Sequence, residues 1–310
     1  MAKNLQYILS ETTHSISNNN FNHCSTLASI NEKILLAWYS GSFECHNDQR
    51  VWLMRLEENT GITSLEENTG NPVLFNDSDG KTFILYSEFA PHQSIKGIDK
   101  WKFCNLYIRE IFEDSMSDRI KLADESEHLL GRCSPIVENG VTHIPLYNEL
   151  DEYSVIYSGD GSEYVKSHVF GESEIQPAIY CENGLKAFTR NFKSKRMYSR
   201  FHSIEKQTAN ESNIPNNNSS LAVLKIDHVV FCVYNNTTNK TRKNLTLGYI
   251  NNNKVFPFRT IDQYGSYPTI IKHHDKIVIS YTGYYNNIKV RTFDIDTLCN
   301  EVSYRRSFWV

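Results

Sequence analysis

The chain has 310 residues, of which 40% are apolar and 22% charged, with a formal net charge of −4 and a mean hydropathy of −0.48. These values describe a folded globular protein with an adequate core, and they offer no overall basic charge to draw nucleic acid. No apolar run approaches the roughly 18 residues of a membrane-spanning helix. Met1–Tyr7 lacks the long apolar stretch of a secretion signal. Seven cysteines (24, 45, 104, 133, 181, 232 and 299) occur without a CxxC pair. An odd number in that arrangement points to free thiols in a reducing compartment rather than a disulfide framework or a zinc site. The expectation is a cytoplasmic protein without an integral membrane segment, with room left for a membrane-protein partner.

Short apolar segments then recur along the chain. In order they are Ile34–Tyr39, Val51–Met54, Thr82–Tyr86, Ser154–Tyr157, Leu185–Phe188, Val229–Val233, Leu245–Tyr249 and Lys276–Ser280. Each is rich in β-branched or aromatic side chains, which is the pattern of strands. Turn residues precede several of them: Asn31-Glu32-Lys33, Asp79-Gly80-Lys81, Glu138-Asn139-Gly140, Glu182-Asn183-Gly184 and His274-Asp275-Lys276. Asn-Gly and Asp-Gly tolerate the positive φ of tight hairpins. No segment shows a helical period sustained over three turns. Residues 112–130 read as an acidic loop or short helix, 205–220 as an exposed Asn-rich loop, and 235–240 as a further loop. The hairpin returns about every 40 to 65 residues, a repeat that predicts propeller blades. The expected fold is all-β: a single domain over residues 1–310, a six-bladed β-propeller of four-stranded antiparallel blades.

A second set of short sequences carries a family resemblance. They are His23-Cys24-Ser25-Thr26, Leu36–Glu44, Asn71-Pro72-Val73, Pro135–Gly140, Gln176-Pro177-Ala178, Arg242–Thr246 and Ser266-Tyr267-Pro268. Each is weak alone, but their order and spacing from His23 to Asp294 resemble the sialidase (BNR-repeat) superfamily, and within it a sialidase-like branch. The Asp-box turn of that family is nearly absent, with Ser158-Gly159-Asp160-Gly161 as a remnant.

The resemblance implies a set of site residues. Tyr267 corresponds to the nucleophile. Sialidases cleave at a carbon that bears a carboxylate, where a carboxylate nucleophile would be repelled and a neutral phenol is not; this is an exception to the use of two carboxylates. Asp48 corresponds to the acid and later base. Arg190 and Arg242 correspond to two guanidiniums that bind the sugar carboxylate bidentately. His23 stands where the family has a third arginine, and it carries positive charge only if its pKa is raised. For the base that takes the proton of Tyr267, Gln176 fits the position but cannot accept a proton. Glu174, two residues earlier on the same strand face, and Glu149 are the alternatives. Glu44 and Arg132 are candidates for rim contacts, with an ordinary packed or solvated side chain the favoured reading for both. Each of these residues has a plainer alternative as a packed or solvated side chain. No metal, nucleotide or other cofactor motif occurs, so no cofactor is expected.

The leading functional reading is a retaining exo-glycosidase that removes a terminal acidic 2-keto-3-deoxy sugar, sialic acid or Kdo, from a glycoconjugate or lipopolysaccharide. The changed third arginine and the absence of a secretion signal favour Kdo. A catalytically silent carbohydrate-binding propeller and a lyase acting on uronic acids are the competing readings.

Overall fold

The computed structural model describes residues 8–16, 19–57, 60–89, 101–161, 163–191, 197–217, 219–239, 241–284 and 286–307; the N-terminal segment 1–7 and Lys240, on which two sequence readings fell, lie outside them. Strand β1 is Ile8–His14. The next sheet holds β2 (Phe21–Ile30), β3 (Lys33–Gly41), β4 (Arg50–Arg55) and β5 (Thr60–Glu67). After it come β6 (Thr69–Asn76), β7 (Thr82–Phe89), β8 (Cys104–Ile111) and β9 (Ile120–Lys121). A third sheet contains β10 (Leu130–Gly131), β11 (Ile136–Glu138), β12 (Val141–Asn148), β13 (Tyr153–Gly159) and β14 (Tyr164–Val169). The fourth contains β15 (Glu174–Cys181), β16 (Leu185–Asn191), β17 (Tyr198–Ser203) and β18 (Thr208–Pro215). The remaining strands are β19 (Ala222–Ile226), β20 (Val229–Asn235), β21 (Lys243–Asn251), β22 (Lys254–His273), β23 (Lys276–Gly283) and β24 (Ile288–Asp294), followed by the helix α1 (Ile295–Arg306).

These last six strands and β1 form one seven-stranded sheet, but its pairing divides at β22. Residues 254–264 of β22 pair with β21, and residues 265–273 pair with β23. The early strand β1 lies antiparallel to β24, so the two ends of the described chain share a sheet. Every strand segment named from the sequence lies within one of these strands. The hairpin residues do what their chemistry allows. Asn31 and Glu32 both adopt positive φ between β2 and β3, as Asn139-Gly140 and Asn183-Gly184 do at their turns.

Adjacent sheets are held face to face by apolar clusters. Leu74, Ile84 and Tyr86 meet Leu35, Ala37 and Leu53. Val73, Phe75 and Leu106 meet Ile144, Leu146 and Val155. Ala178, Tyr180 and Phe188 meet Val223, Val230 and Cys232. The first and last sheets also touch, where Leu27, Leu36, Trp38 and Met54 pack on Val278, Ile288 and Val290. Each Val, Leu, Ile, Phe or Met side chain among these contributes about 1.5–3 kcal/mol when fully buried. Segments of β2, β6, β11, β15, β19 and β22 line a common cavity of about 570 Å³ at the hairpin end of the innermost strands.

Two sequence expectations are corrected. The stretch 205–220 is not an exposed loop: Thr208–Pro215 is the outer strand β18, and Asn216 and Asn217 are buried. The strand reads as loop because its outer position leaves most of its side chains polar and exposed. The two asparagines instead cap backbone groups, Asn216 across from Asn191 and Asn217 at the Asn235 carbonyl. The second correction is α1, a helix of 12 residues capped by Asp294, which accepts from Thr297 N–H; it buries only Ile295, Leu298 and Val302. Three apolar side chains give a stripe too thin to register as a period. The acidic stretch 112–130 holds a 3-10 turn at Glu125–Glu127 and the short strands β9 and β10. The seven cysteines are free thiols. Among the described residues no helix is long and apolar enough to cross a membrane.

The innermost strands are tied together by one buried arginine. Arg132, between β10 and β11, donates from Nη1 to the Ser25 carbonyl (3.0 Å), from Nε to Ser220 Oγ (3.0 Å), and from Nη2 to the carbonyls of Tyr267 and Pro268. It is therefore a strut beneath the site, in line with the packed side chain favoured from the sequence over a rim contact. Arg132→Leu is expected to lower stability by about 3 kcal/mol or more, because buried acceptors lose charged donors. Arg132→Lys is expected to recover only part of this, since an ammonium cannot fork to acceptors on β2, on β22 and on the segment before β19; urea unfolding of the three proteins checks both.

Candidate active site

Four inner strands carry the same defect at the same level. In β2 the pairing skips from His23 to Thr26, in β6 from Gly70 to Val73, in β15 from Ile175 to Ala178, and in β22 from Ser266 to Thr269. The first skipped residue of each, Cys24, Asn71, Gln176 and Tyr267, has φ near +50°. In three of the four the second skipped residue is proline, which has no N–H to lose from the ladder. Such a bulge re-aims the side chain, and all four turn into one cavity of about 240 Å³.

The same cavity is lined by His23 at the start of β2, Tyr39 near the end of β3, and Glu44 on the loop after it. Tyr147 and Glu149 at the end of β12, Arg190 near the end of β16, Arg242 just before β21, and Trp101 complete it. Of the residues singled out in sequence, Tyr267, His23, Gln176, Glu149, Arg190, Arg242 and Glu44 thus meet around one space. Tyr267 stands at its centre. Its N–H donates to Ser219 Oγ (3.0 Å), its carbonyl accepts from Arg132, and its hydroxyl accepts from Arg242 Nη2 (3.0 Å). The Arg242 guanidinium also lies 4.6 Å from the ring centroid, and His23 meets the ring edge-on at 4.7 Å.

Burial sets the charge states. It pushes the Tyr267 phenol up, against the opposing pull of Arg242 and Arg190, so the hydroxyl is protonated near neutral pH. It raises Glu149 as well, although Arg190 works the other way. Tyr39 and Tyr147 are raised chiefly by burial. Burial, with Arg242 and Arg132 adding to it, drives His23 well below the usual histidine range. His23 is therefore neutral and does not replace the positive charge of a third arginine; its Nε2 lies 3.4 Å from Arg242 Nη1.

Two expected site residues do not line the cavity. Glu174 is fully buried elsewhere, paired with Arg200 Nη1 and His202 Nε2, each at 2.9 Å. The bulge at Gln176 breaks the strand alternation, so residues 174 and 176 no longer share a face. Burial alone would raise the Glu174 pKa, but His202 and Arg200 outweigh it and hold the carboxyl below its ordinary value. Asp48 sits on the loop that carries Glu44, with a side chain 43% exposed. It accepts from Ser42 N–H (3.1 Å), Ser42 Oγ (2.5 Å) and His46 Nδ1 (2.6 Å). Slight burial raises its pKa, and these bonds more than reverse the effect. The sequence reading missed Cys24, Asn71, Tyr39, Trp101 and Tyr147. The aligned Asn71-Pro72, Gln176-Pro177 and Tyr267-Pro268 pairs were the signal that could have found Asn71.

The chain belongs to the BNR repeat-like domain family, whose pattern matches residues 32–279. No curated protein matches it in sequence. Among solved structures it is similar to a Dyadobacter fermentans protein of unknown function (12% identity, TM-score 0.71, covering 93% of this chain and 98% of that one). It is also similar to a Hadza microbial sialidase (13% identity, TM-score 0.69, covering 89% and 66%). A third is a mutant of Trypanosoma rangeli sialidase displaying trans-sialidase activity (13% identity, TM-score 0.67, covering 98% and 60%). The chain thus spans less than two thirds of the length of these two sialidases. Its fold is that of the sialidase-like BNR superfamily.

A depressed histidine pKa has a measurable consequence. The neutral imidazole of His23 contributes stability that is fully present above the unfolded value of about 6.5 and is lost as pH falls below it towards the folded value. Nitrogen-detected NMR is expected to show His23 untitrated from pH 8 to about pH 6, with Nδ1 protonated and Nε2 the acceptor.

Proposed function

We propose that this protein is a retaining exo-glycosidase that hydrolyses terminal acidic 2-keto-3-deoxy sugars, built as a six-bladed propeller in which β22 serves two neighbouring blades. The observation that carries the reading is the Arg242–Tyr267 contact, 3.0 Å from guanidinium to phenol oxygen, inside a cavity that Arg190 and Glu149 also line. A phenol beside two guanidiniums is suited to attack on a carbon that already bears a carboxylate. The volume of about 240 Å³ lies below the roughly 300–1,000 Å³ of common ligand sites and suits one sugar ring. Within the class, the neutral His23 in place of a third cation favours Kdo over sialic acid.

In this mechanism Arg190 and Arg242 pair with the substrate carboxylate. The Tyr267 oxygen attacks the anomeric carbon and passes its proton to Glu149, whose raised pKa suits it to take and return a proton. The bond to the leaving oxygen breaks as that oxygen takes a proton from the 42–49 loop. Asp48 is the donor in this reading: it is ionised in the free protein, and the like charge of the entering substrate raises its pKa. Asp48 then takes a proton from water, which attacks the anomeric carbon. The Tyr267 oxygen departs and recovers its proton from Glu149. Two inversions give net retention.

A second reading, a carbohydrate-binding propeller without turnover, is favoured by Gln176, an amide at the position where the family resemblance calls for a glutamate. Hydrolysis of aryl ketosides separates the two. Tyr267→Phe is expected to lower kcat by about 10³-fold, whereas a pure binder shows no difference between wild type and variant. A 3-fluoro ketosyl fluoride is expected to label Tyr267 covalently, and mass spectrometry that finds the label on another residue rules out this nucleophile.

The acid has its own signature. Asp48→Asn is expected to slow alkyl ketosides by about 10²–10³-fold and 4-nitrophenyl ketosides far less, because a good leaving group needs no proton. The same pattern in Glu44→Gln, with Asp48→Asn silent, moves the role to Glu44.

A further inference from the structure

We propose that the groove beside the pit is the subsite for the outer part of the leaving group, beyond the oxygen that the 42–49 loop protonates, and that it selects an aglycone carrying its own negative charge, a carboxylate or a phosphate. This rests on reading the pit as a ketoside-cleaving site. The groove has a volume of about 420 Å³ and shares two wall residues, His23 and Arg242, with the pit. Arg242 is also the residue whose Nη2 touches the Tyr267 hydroxyl, so an occupant of the groove lies one guanidinium away from the reacting phenol. Ser266, next to Tyr267 in the chain, lines the groove as well.

The rest of the groove is built for a charged ring. Tyr264 and Tyr284 are 41% and 63% exposed, with ring centroids 4.8 Å apart and planes inclined at 50°. Two large rings left in solvent side by side form a rigid wall that can cover the apolar face of a sugar at low entropic cost. Lys243 stands above Tyr264, with Nζ 5.4 Å from the ring centroid. Among the described residues that line the groove there are two permanent cations, Arg242 and Lys243, and no aspartate or glutamate. In a chain of net charge −4 this is a local reversal of sign, and it matches an anionic aglycone.

A matched pair of substrates tests this: phenyl and 4-carboxyphenyl ketosides of the same acidic sugar. Wild type is expected to show a KM about three- to five-fold lower for the carboxylated aglycone, the size of a solvent-exposed ion pair. Raising NaCl from about 50 to 500 mM is expected to shrink that preference. Lys243→Met is expected to bring the KM ratio of the two substrates to near one, and Tyr284→Ala to raise both KM values together. A wild-type enzyme indifferent to the carboxylate, or a preference that survives Lys243→Met, overturns the proposal. Calorimetric binding of the same pair to Tyr267→Phe makes the comparison without turnover. A binding preference in that variant, with no hydrolysis by wild type, sinks the enzymatic reading and with it the leaving-group role, leaving the groove only as an anion-selective binding site. Hydrolysis without a preference in either assay sinks the subsite alone.

Discussion

The site depends on one residue held in a backbone conformation that it does not prefer. Tyr267 has φ of +52°, a region that costs a bulky non-glycine residue about 1–3 kcal/mol. Its N–H is bound by Ser219 Oγ and its carbonyl by the Arg132 guanidinium. Arg132 in turn grips the carbonyls of Ser25 and Pro268 and the hydroxyl of Ser220. The conformation therefore persists because groups on several inner strands over-determine it. Without the bulge Tyr267 would alternate as an ordinary strand residue, and its hydroxyl would not meet Arg242. Cys24, Asn71 and Gln176 repeat the device, so the pit is shaped by backbone geometry as much as by side-chain packing.

Burial then sorts the charges. It favours the neutral forms of Tyr267, Tyr39, Tyr147, Glu149 and His23, while the two arginines remain charged. The floor of the pit is thereby left with cations facing weakened acids, an arrangement that attracts an anion and keeps a phenol protonated until a base acts. Arg242 belongs to the pit and to the groove beside it, and it joins the two spaces electrically.

Much of the architecture was legible in the chain. Segments such as Val229–Val233 and Ile277–Ile279 are continuous apolar runs because both faces of a strand flanked on both sides within its sheet are buried, and Asn139-Gly140 and Asn183-Gly184 mark hairpins because few residues accept positive φ. The illegible parts have a common cause. Strand β18 and helix α1 are covered on one side only, so their polar faces hid them. Glu174 followed the alternation rule in sequence, and the bulge two residues later suspended it; the carboxylate went to Arg200 and His202 instead.

The sequence by itself determined which residues make strands and turns, and it contained the Tyr-Pro and Gln-Pro pairs, because strand period and turn chemistry are local properties. Only the tertiary structure decided which side chains share the pit. His23, Glu149, Arg190 and the Arg242–Tyr267 pair are far apart in the chain and come from four sheets. Their meeting, and the charge each one keeps there, follow from how the sheets pack, where the strands bulge and how completely water is excluded.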